Sequence, residues 1–391
     1  MTIQKLLRLG LTIGLAATLT VACGSDDTSD DTASDSASAT ETAASGSDSG
    51  SASGSGSGSA SASEPADTDG AGEETEDTED TQDTEDTEDT EDTGDAATRT
   101  VQSAYGPVDV PVDPQRVFAL DEYAGAAMLY SGLEPVAVFA PFRARIPLSV
   151  LQDRGVEVTE IVFGEWNIEQ IAAVDPDMIV MTDVGDPNLI ENLGGIAPTV
   201  VLPFVAPWAD IVAAVGDAAG TPEVATTITD ELTARLAELQ AESADQTFSI
   251  LATGPQFGTF SLGVGGVGSS VLEQAGYLRP EAQLAPPDLG VSLSLSPENL
   301  GDHDGDFVLQ LGGDESFYSI ADLEALPTFQ AIPAVQDGRT AVGLGEIWTS
   351  SDPFSTYWMV EDLRAIRDGE PLGTIDDVDA RWNDFVALAG G

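Results

Sequence analysis

From residue 99 onward, apolar runs of strand length alternate with apolar positions at helical spacing, the pattern of parallel α/β units rather than of a sandwich. A hairpin is expected over 99–111. Strand 116–119, helix 122–131 and strand 136–139 follow, then helix 168–174 into strand 178–181 and helix 187–193 into strand 199–202. These elements make a first lobe, 99–220.

The pattern then changes scale. Thr221 suits an N-cap, Pro222 the first helical position and Glu223 the positive end of the helix dipole. Val224, Ile228, Leu232, Leu236 and Leu239 then fall on one side, through to about residue 244. Such a helix crosses a domain rather than filling one, so 221–245 is read as an interlobe helix. Alternation restarts with strand 248–253, helix 269–275, a helix opening at Pro297, strand 307–311, helices over 321–329, strand 340–344 and helix 353–368. The expected fold is α/β, with two Rossmann-like lobes, 99–220 and 246–391, joined by a single long helix.

Residues 1–98 follow other rules. Lys5 and Arg8 precede an uncharged run, 9–22, that is too short to span a bilayer and ends in small residues, the layout of a secretory signal over 1–22. Cys23 is the only cysteine among the 391 residues, so no disulfide can form within the chain. It closes Leu19-Thr20-Val21-Ala22-Cys23, which resembles the lipobox of bacterial lipoproteins, with Thr20 where Leu is commoner. The resemblance implies a lipid on the thiol; an ordinary cleaved signal with an incidental cysteine is the alternative. Residues 23–98 continue in Ser, Gly, Ala, Thr, Asp and Glu, ending in a Thr-Glu-Asp repeat over 75–93. With 24 acidic residues and no basic one, this stretch is expected to be a disordered acidic linker. Its period-three acids lack the glycine turn and closing glutamate of a calcium loop.

Charge narrows the partners. Residues 99–391 hold 45 acidic residues, 11 arginines and no lysine. Such a surface repels nucleic acid, and an anionic ligand would need a local arginine cluster.

Three runs then carry a family likeness: Asp113-Pro114-Gln115-Arg116-Val117-Phe118-Ala119, Gly132-Leu133-Glu134-Pro135-Val136-Ala137-Val138, and the stretch from Asn167-Ile168-Glu169-Gln170 to Asp175-Pro176-Asp177-Met178-Ile179-Val180. In sequence and order they resemble the ferric-siderophore and vitamin B12 substrate-binding proteins of ABC importers, with a weaker echo in Ser296-Pro297-Glu298 before Asp306-Phe307-Val308-Leu309. The resemblance implies two lobes on a rigid helical backbone with a ligand cleft between them and little closure. It further implies no enzymatic activity, no resident cofactor, a ferric siderophore as transported ligand, a monomer anchored by lipid on the extracytoplasmic face of the cell membrane, and a membrane permease as partner. It also implies that Glu169 and Glu298, one near a helix start in each lobe, dock the permease; carboxylates that merely complement helix dipoles are the alternative. Hydroxamate-binding relatives often carry an arginine before the Asn-Ile-Glu motif, where this chain has Phe163-Gly164-Glu165-Trp166.

Ligands of open parallel sheets lie beyond the carboxyl ends of the strands. The loops there nominate Tyr123, Phe142, Arg143, Arg145, Trp208, Phe257, Tyr318 and Trp348, with Trp166 at a helix start, as ligand-binding residues. Aromatic walls suit a bulky chelate, and guanidinium groups can donate to its oxygens without replacing them as iron ligands. Packing within the lobes is the ordinary alternative for the aromatics, and surface ion pairs for the arginines.

Enzyme readings lack materials. His303 is the only histidine, which removes multi-histidine metal sites and most general-base schemes. Its setting, residues 302–306, misses calcium-loop spacing, and no G-x-S-x-G elbow occurs. The G-x-G-x-x-G run over 263–268 is read as a cleft loop opening a helix capped by Ser269 or Ser270. The expected function is capture of a ferric siderophore for an ABC importer, hydroxamate type favoured because the negative field opposes a triply anionic chelate. Cobalamin or haem binding, or a non-transport adhesion protein on an acidic stalk, are the alternatives.

Overall fold

A computed structural model describes residues 97–390, apart from Ala244 and Leu289. The signal segment, Cys23 and the acidic linker lie outside the described residues. The antiparallel hairpin β1 (Thr98–Ser103) and β2 (Gly106–Pro111) buries Val101 and Val110 against the first lobe. Chain order then runs β3 (Val117–Ala119), α1 (Glu122–Tyr130), β4 (Ala137–Ala140), α2 (Arg145–Asp153), β5 (Val158–Glu160), α3 (Ile168–Ala173), β6 (Met178–Thr182), α4 (Pro187–Gly194) and β7 (Thr199–Leu202). The strands form an all-parallel sheet in the order β5-β4-β3-β6-β7. Successive strands are added on one side of β3 through β5 and then on the other from β6, so the crevice lies between β3 and β6 at their carboxyl ends.

Helix α5 (Trp208–Ala219) leads into α6 (Pro222–Ser243). At 22 residues α6 is about 33 Å long, and it buries Ala225, Ile228, Leu232, Leu236 and Leu239 along one face. Pro222 opens it as expected, but the Thr221 hydroxyl makes no hydrogen bond, so the cap inferred from its type is not a side-chain cap.

The second lobe comprises β8 (Phe248–Gly254), β9 (Gly258–Leu262), α7 (Val267–Gln274), β10 (Ser292–Ser294), a 3-10 segment Pro297–His303, β11 (Phe307–Gly312), the short helices α8 (Ile320–Glu324), α9 (Pro327–Gln330) and α10 (Pro333–Gln336), then β12 (Thr340–Leu344) and α11 (Gly345–Trp348). Its sheet order is β10-β9-β8-β11-β12, and β9 pairs antiparallel with both neighbours. The lobe is therefore mixed rather than wholly parallel. Only Pro255, Gln256 and Phe257 separate β8 from β9, too few residues for a crossover. Gly266, not Ser269 or Ser270, stands at the start of α7: Ser269 is buried within it and donates to the Leu262 carbonyl, and Ser270 accepts from Gln274.

Two further helices complete the chain. α12 (Pro353–Asp368) lies beside α6, joined by Arg235–Glu361 at 2.7 Å, Arg364–Glu238 at 3.4 Å and Arg367–Glu242 at 2.9 Å. α13 (Val378–Leu388) returns to the first lobe, where Trp382 and Phe385 pack on Tyr130, and Asn383 accepts from Arg154 at 2.8 Å. The long helix expected from the sequence thus has a partner, and one continuous apolar core runs through both lobes.

Candidate functional site

The site is built from the carboxyl ends of both sheets. Asp121 follows β3 and is buried; it accepts from the Thr182 amide at 2.7 Å and hydroxyl at 3.0 Å at the end of β6, and from Ala124 N at 2.9 Å as cap of α1. It ties the two strands that flank the crevice. Burial pushes its carboxyl up, and these hydrogen bonds oppose that push.

Glu122, also buried, accepts from Ala144 N at 2.8 Å and so holds the segment that carries Phe142, Arg143 and Arg145. Desolvation raises its carboxyl to about 7, and its Oε2 has no partner. Asp362, buried in α12, is raised to about 7 for the same reason despite bonds from Trp348 and Gly373. Both groups hold protons in the folded chain that the unfolded chain gives up near its ordinary carboxyl range, so stability is fullest at low pH and falls as pH rises through about 7. The midpoint of thermal unfolding is expected to drop from pH 5 to pH 8. Glu122→Gln should flatten that slope by roughly 3 kcal/mol, and an unchanged slope in the variant would assign it elsewhere.

Aromatic residues face each other across the opening. In the first lobe Tyr123 meets Phe142 at 5.7 Å and Phe204 at 5.5 Å between ring centroids, and Phe142 stacks on Phe204 at 5.9 Å. In the second lobe Phe257 stacks on Phe317 at 6.2 Å, and Tyr318 lies 6.4 Å from Phe317. Tyr318 fits because residue 345 is glycine: a Cβ there would lie 2.3 Å from its ring. Burial raises the Tyr318 hydroxyl to about 12, so it stays protonated and can donate. The enclosed volume is about 490 Å³.

Both arginines of the opening already have acidic partners. Arg143 lies 3.4 Å from Glu160, both exposed, and adopts a positive φ of 56°. Arg145 reaches across the cleft to Glu346 in α11, its Nε 3.0 Å from Oε1, while Asp314 N also donates to that oxygen at 3.3 Å. Glu346 Oε2 is buried without a partner, directly over Gly313, where a Cβ would sit 2.2 Å away. Ser351 donates to the Phe204 carbonyl at 2.8 Å, a second tie between lobes.

Of the residues nominated from sequence, Tyr123, Phe142, Arg143, Arg145, Phe257 and Tyr318 line this cleft. The three tryptophans do not. Trp348 has no exposed surface and donates to Asp362; Trp208 fills the core at the start of α5 and donates to Gln274 at 3.2 Å; Trp166 packs on Phe163 within the first lobe. Trp208 and Trp166 lie at or just before helix starts and Trp348 ends the four-residue α11; the sequence reads these places as loop, but the rings turn inward. Sequence reasoning left Phe317, Glu346, Tyr130 and Trp382 out of the site. Phe317 adjoins Tyr318 and was within reach of the same rule, whereas Tyr130 and Trp382 come from helix faces that only the packing reveals. Glu169 and Glu298 are exposed in the first turns of α3 and the 3-10 segment, and the Ser296 hydroxyl holds the Glu298 carboxyl below its usual range. His303 is buried, and its neighbours Asp304 and Asp306 accept from Ala334 N and Thr247 N, tying loops together. Among the described residues, no three His, Cys, Asp or Glu side chains gather as a metal site.

The fold is a pair of α/β lobes with a cleft at the carboxyl ends of both sheets. Residues 154–343 match the family described as Periplasmic binding protein, a family of substrate-binding proteins rather than enzymes. The chain is 26% identical over 294 residues to the probable siderophore-binding lipoprotein YfiY of Bacillus subtilis (strain 168), covering 72% of this chain and 81% of that one. Its fold is shared with Staphylococcus aureus SirA, solved with staphyloferrin B (TM-score 0.57, 19% identity, 69% of this chain and 99% of the other). It is shared too with the catecholate-siderophore binding protein VctP from Vibrio cholerae (TM-score 0.56, 19% identity, 69% and 100%) and with FhuD from S. pseudintermedius (TM-score 0.55, 19% identity, 69% and 98%). The chain therefore resembles, in sequence and fold, the substrate-binding proteins of iron-siderophore importers.

Proposed function

We propose that this chain is an extracytoplasmic solute-binding lipoprotein that captures a ferric siderophore between its lobes and delivers it to the permease of an ABC importer. The observation that carries this reading is a cleft at both sheet crevices, walled by facing aromatic clusters, in a chain similar to a siderophore-binding lipoprotein. Lipid on Cys23 and docking through Glu169 and Glu298 belong to the same proposal.

A hydroxamate chelate suits the opening best. Arg143 and Arg145 are each matched by a carboxylate, and Asp314 and Asp352 line the cavity as well, so no uncompensated positive charge awaits a triply anionic catecholate. A ferric trihydroxamate is neutral, and displacing Glu346 from Arg145 lets the guanidinium donate to its oxygens. Titration with a ferric hydroxamate, a ferric catecholate, cobalamin and haem, followed by tryptophan fluorescence, tests the reading, since Trp382 lines the cavity. The hydroxamate should quench and bind most tightly; silence from all four ligands would sink the proposal. Replacing both Arg143 and Arg145 with alanine should weaken the hydroxamate complex by about tenfold or more, and unchanged affinity would remove them from the site.

A further inference from the structure

The cavity does not end at the aromatic opening. On α1, Tyr123, Ala126, Ala127 and Tyr130 all line it, at the i, i+3, i+4, i+7 spacing of one helix face. The space therefore runs about 10 Å along the helix from Tyr123. Its side walls there are Ile146 and Val150 of α2 and Ile211 and Val215 of α5; Phe354 and Trp382 close the inner end. Alanine at 126 and 127 leaves open a volume that larger side chains would fill. Arg143, Arg145 and the facing rings all belong to the outer part; the inner chamber is lined mainly by apolar side chains, Asp352 and Ser355 at the start of α12 bond each other beside it, and one polar group is the exception in having no partner.

That exception is Tyr130. It is 5% exposed, it lines the chamber, and its hydroxyl has no hydrogen-bond partner. A buried hydroxyl left unpaired costs free energy that an acceptor arriving with a ligand would recover. Desolvation keeps the phenol protonated, so its proton is available to a ligand atom that accepts. The neighbouring Asp352 disfavours a charged acceptor and leaves a neutral carbonyl.

We propose that the ferric chelate this protein takes bears an aliphatic arm: the chelate head sits between the aromatic clusters, the arm lies along α1 in the inner chamber, and an amide or ester carbonyl near its far end accepts from Tyr130 Oη. This rests on the siderophore reading above and narrows its ligand class to an amphiphilic chelate. A rigid, armless chelate would fill the opening and leave the apolar chamber and the Tyr130 hydroxyl unused.

The test uses the full chain in detergent and two ferric trihydroxamates with the same coordination sphere, one bearing an aliphatic arm with a terminal amide and one without. The armed chelate should bind at least about tenfold more tightly, because the arm leaves water for an apolar channel. Ala127→Leu, which narrows the channel, and Tyr130→Phe, which removes a single oxygen and leaves the packing intact, should each cut that preference to below about threefold. Equal affinity for the two chelates in the unaltered chain, or a preference that survives both substitutions, overturns the arm while leaving the siderophore reading standing. If neither chelate binds, the arm and the hydroxamate preference are both overturned, and the siderophore reading falls with them only if the ferric catecholate is silent too.

Discussion

Replacing Glu169 and Glu298 together with alanine is expected to cut uptake of the ferric chelate by whole cells by more than about tenfold while leaving its Kd for the purified protein unchanged. Neither carboxylate lines the cleft, and both project from first turns into solvent, one in each lobe. Exposed carboxylates that only complement a helix dipole contribute a few tenths of a kcal/mol, so stability should hardly move. Under the docking role proposed above they would meet cationic groups on a partner, where two desolvated, charge-assisted contacts set both encounter and register. The lobes are tied by α6 and α12 into one core, so the pair keeps a fixed spacing that a rigid partner can match. Normal uptake by the double variant, or loss of ligand binding with the fold intact, would refute the docking role.

Asp121→Ala is expected to cost about 3 kcal/mol or more, the largest stability loss among single changes around the cleft. Three buried donors lose their acceptor at once: the Thr182 amide, the Thr182 hydroxyl and Ala124 N. The last also loses its helix cap, itself worth about 1 kcal/mol. Asp121→Asn keeps one carbonyl oxygen and should lose less, although its amide then needs a partner in a pocket that supplies donors. Urea unfolding of the three proteins decides this; a loss below about 1 kcal/mol for alanine would mean that water or relaxation satisfies those donors. Ligand binding by Asp121→Ala should weaken too, because β3 and β6 no longer hold Tyr123 and Thr182 in register at the opening.

The fold was legible wherever local chemistry and burial agreed. Strands β7 and β12 and helix α12 match the expected 199–202, 340–344 and 353–368, because each pairs a sharp boundary residue with a clear apolar period. Helices α2, α5 and α13 escaped notice. α2, α5 and α13 start without a side-chain cap, and in α13 Asp379, Arg381 and Asp384 interrupt the apolar positions that include Trp382 and Phe385. The site divides along the same line. Residues on strand-end loops could be nominated by topology alone, which found Tyr123, Phe142 and Tyr318. The tryptophans misled because a large ring near a helix terminus satisfies the core and the cleft equally well in one dimension. Tyr130 and Glu346 are legible only in space, since one depends on which face of α1 the second lobe covers and the other on an arginine 201 residues away.

The hairpin that opens the described chain carries a geometric consequence of its own. Arg99 donates to the carbonyls of Asp217 and Ala218, at the foot of α5, and Val112 N pairs with the Ala97 carbonyl beside the amino ends of the first sheet. The ligand opening lies at the opposite, carboxyl ends. If the lipid proposed at Cys23 anchors the chain, the tether enters at this end and holds the folded part by its underside, with the mouth turned outward to whatever diffuses in. On that proposal, offering the mouth to a membrane beneath would require the folded part to roll over, and the contour length ahead of residue 97 would have to round its flank. The number of residues before the hairpin would then set whether the folded part can invert, and shortening that stretch stepwise should produce a threshold in delivery with no change in capture.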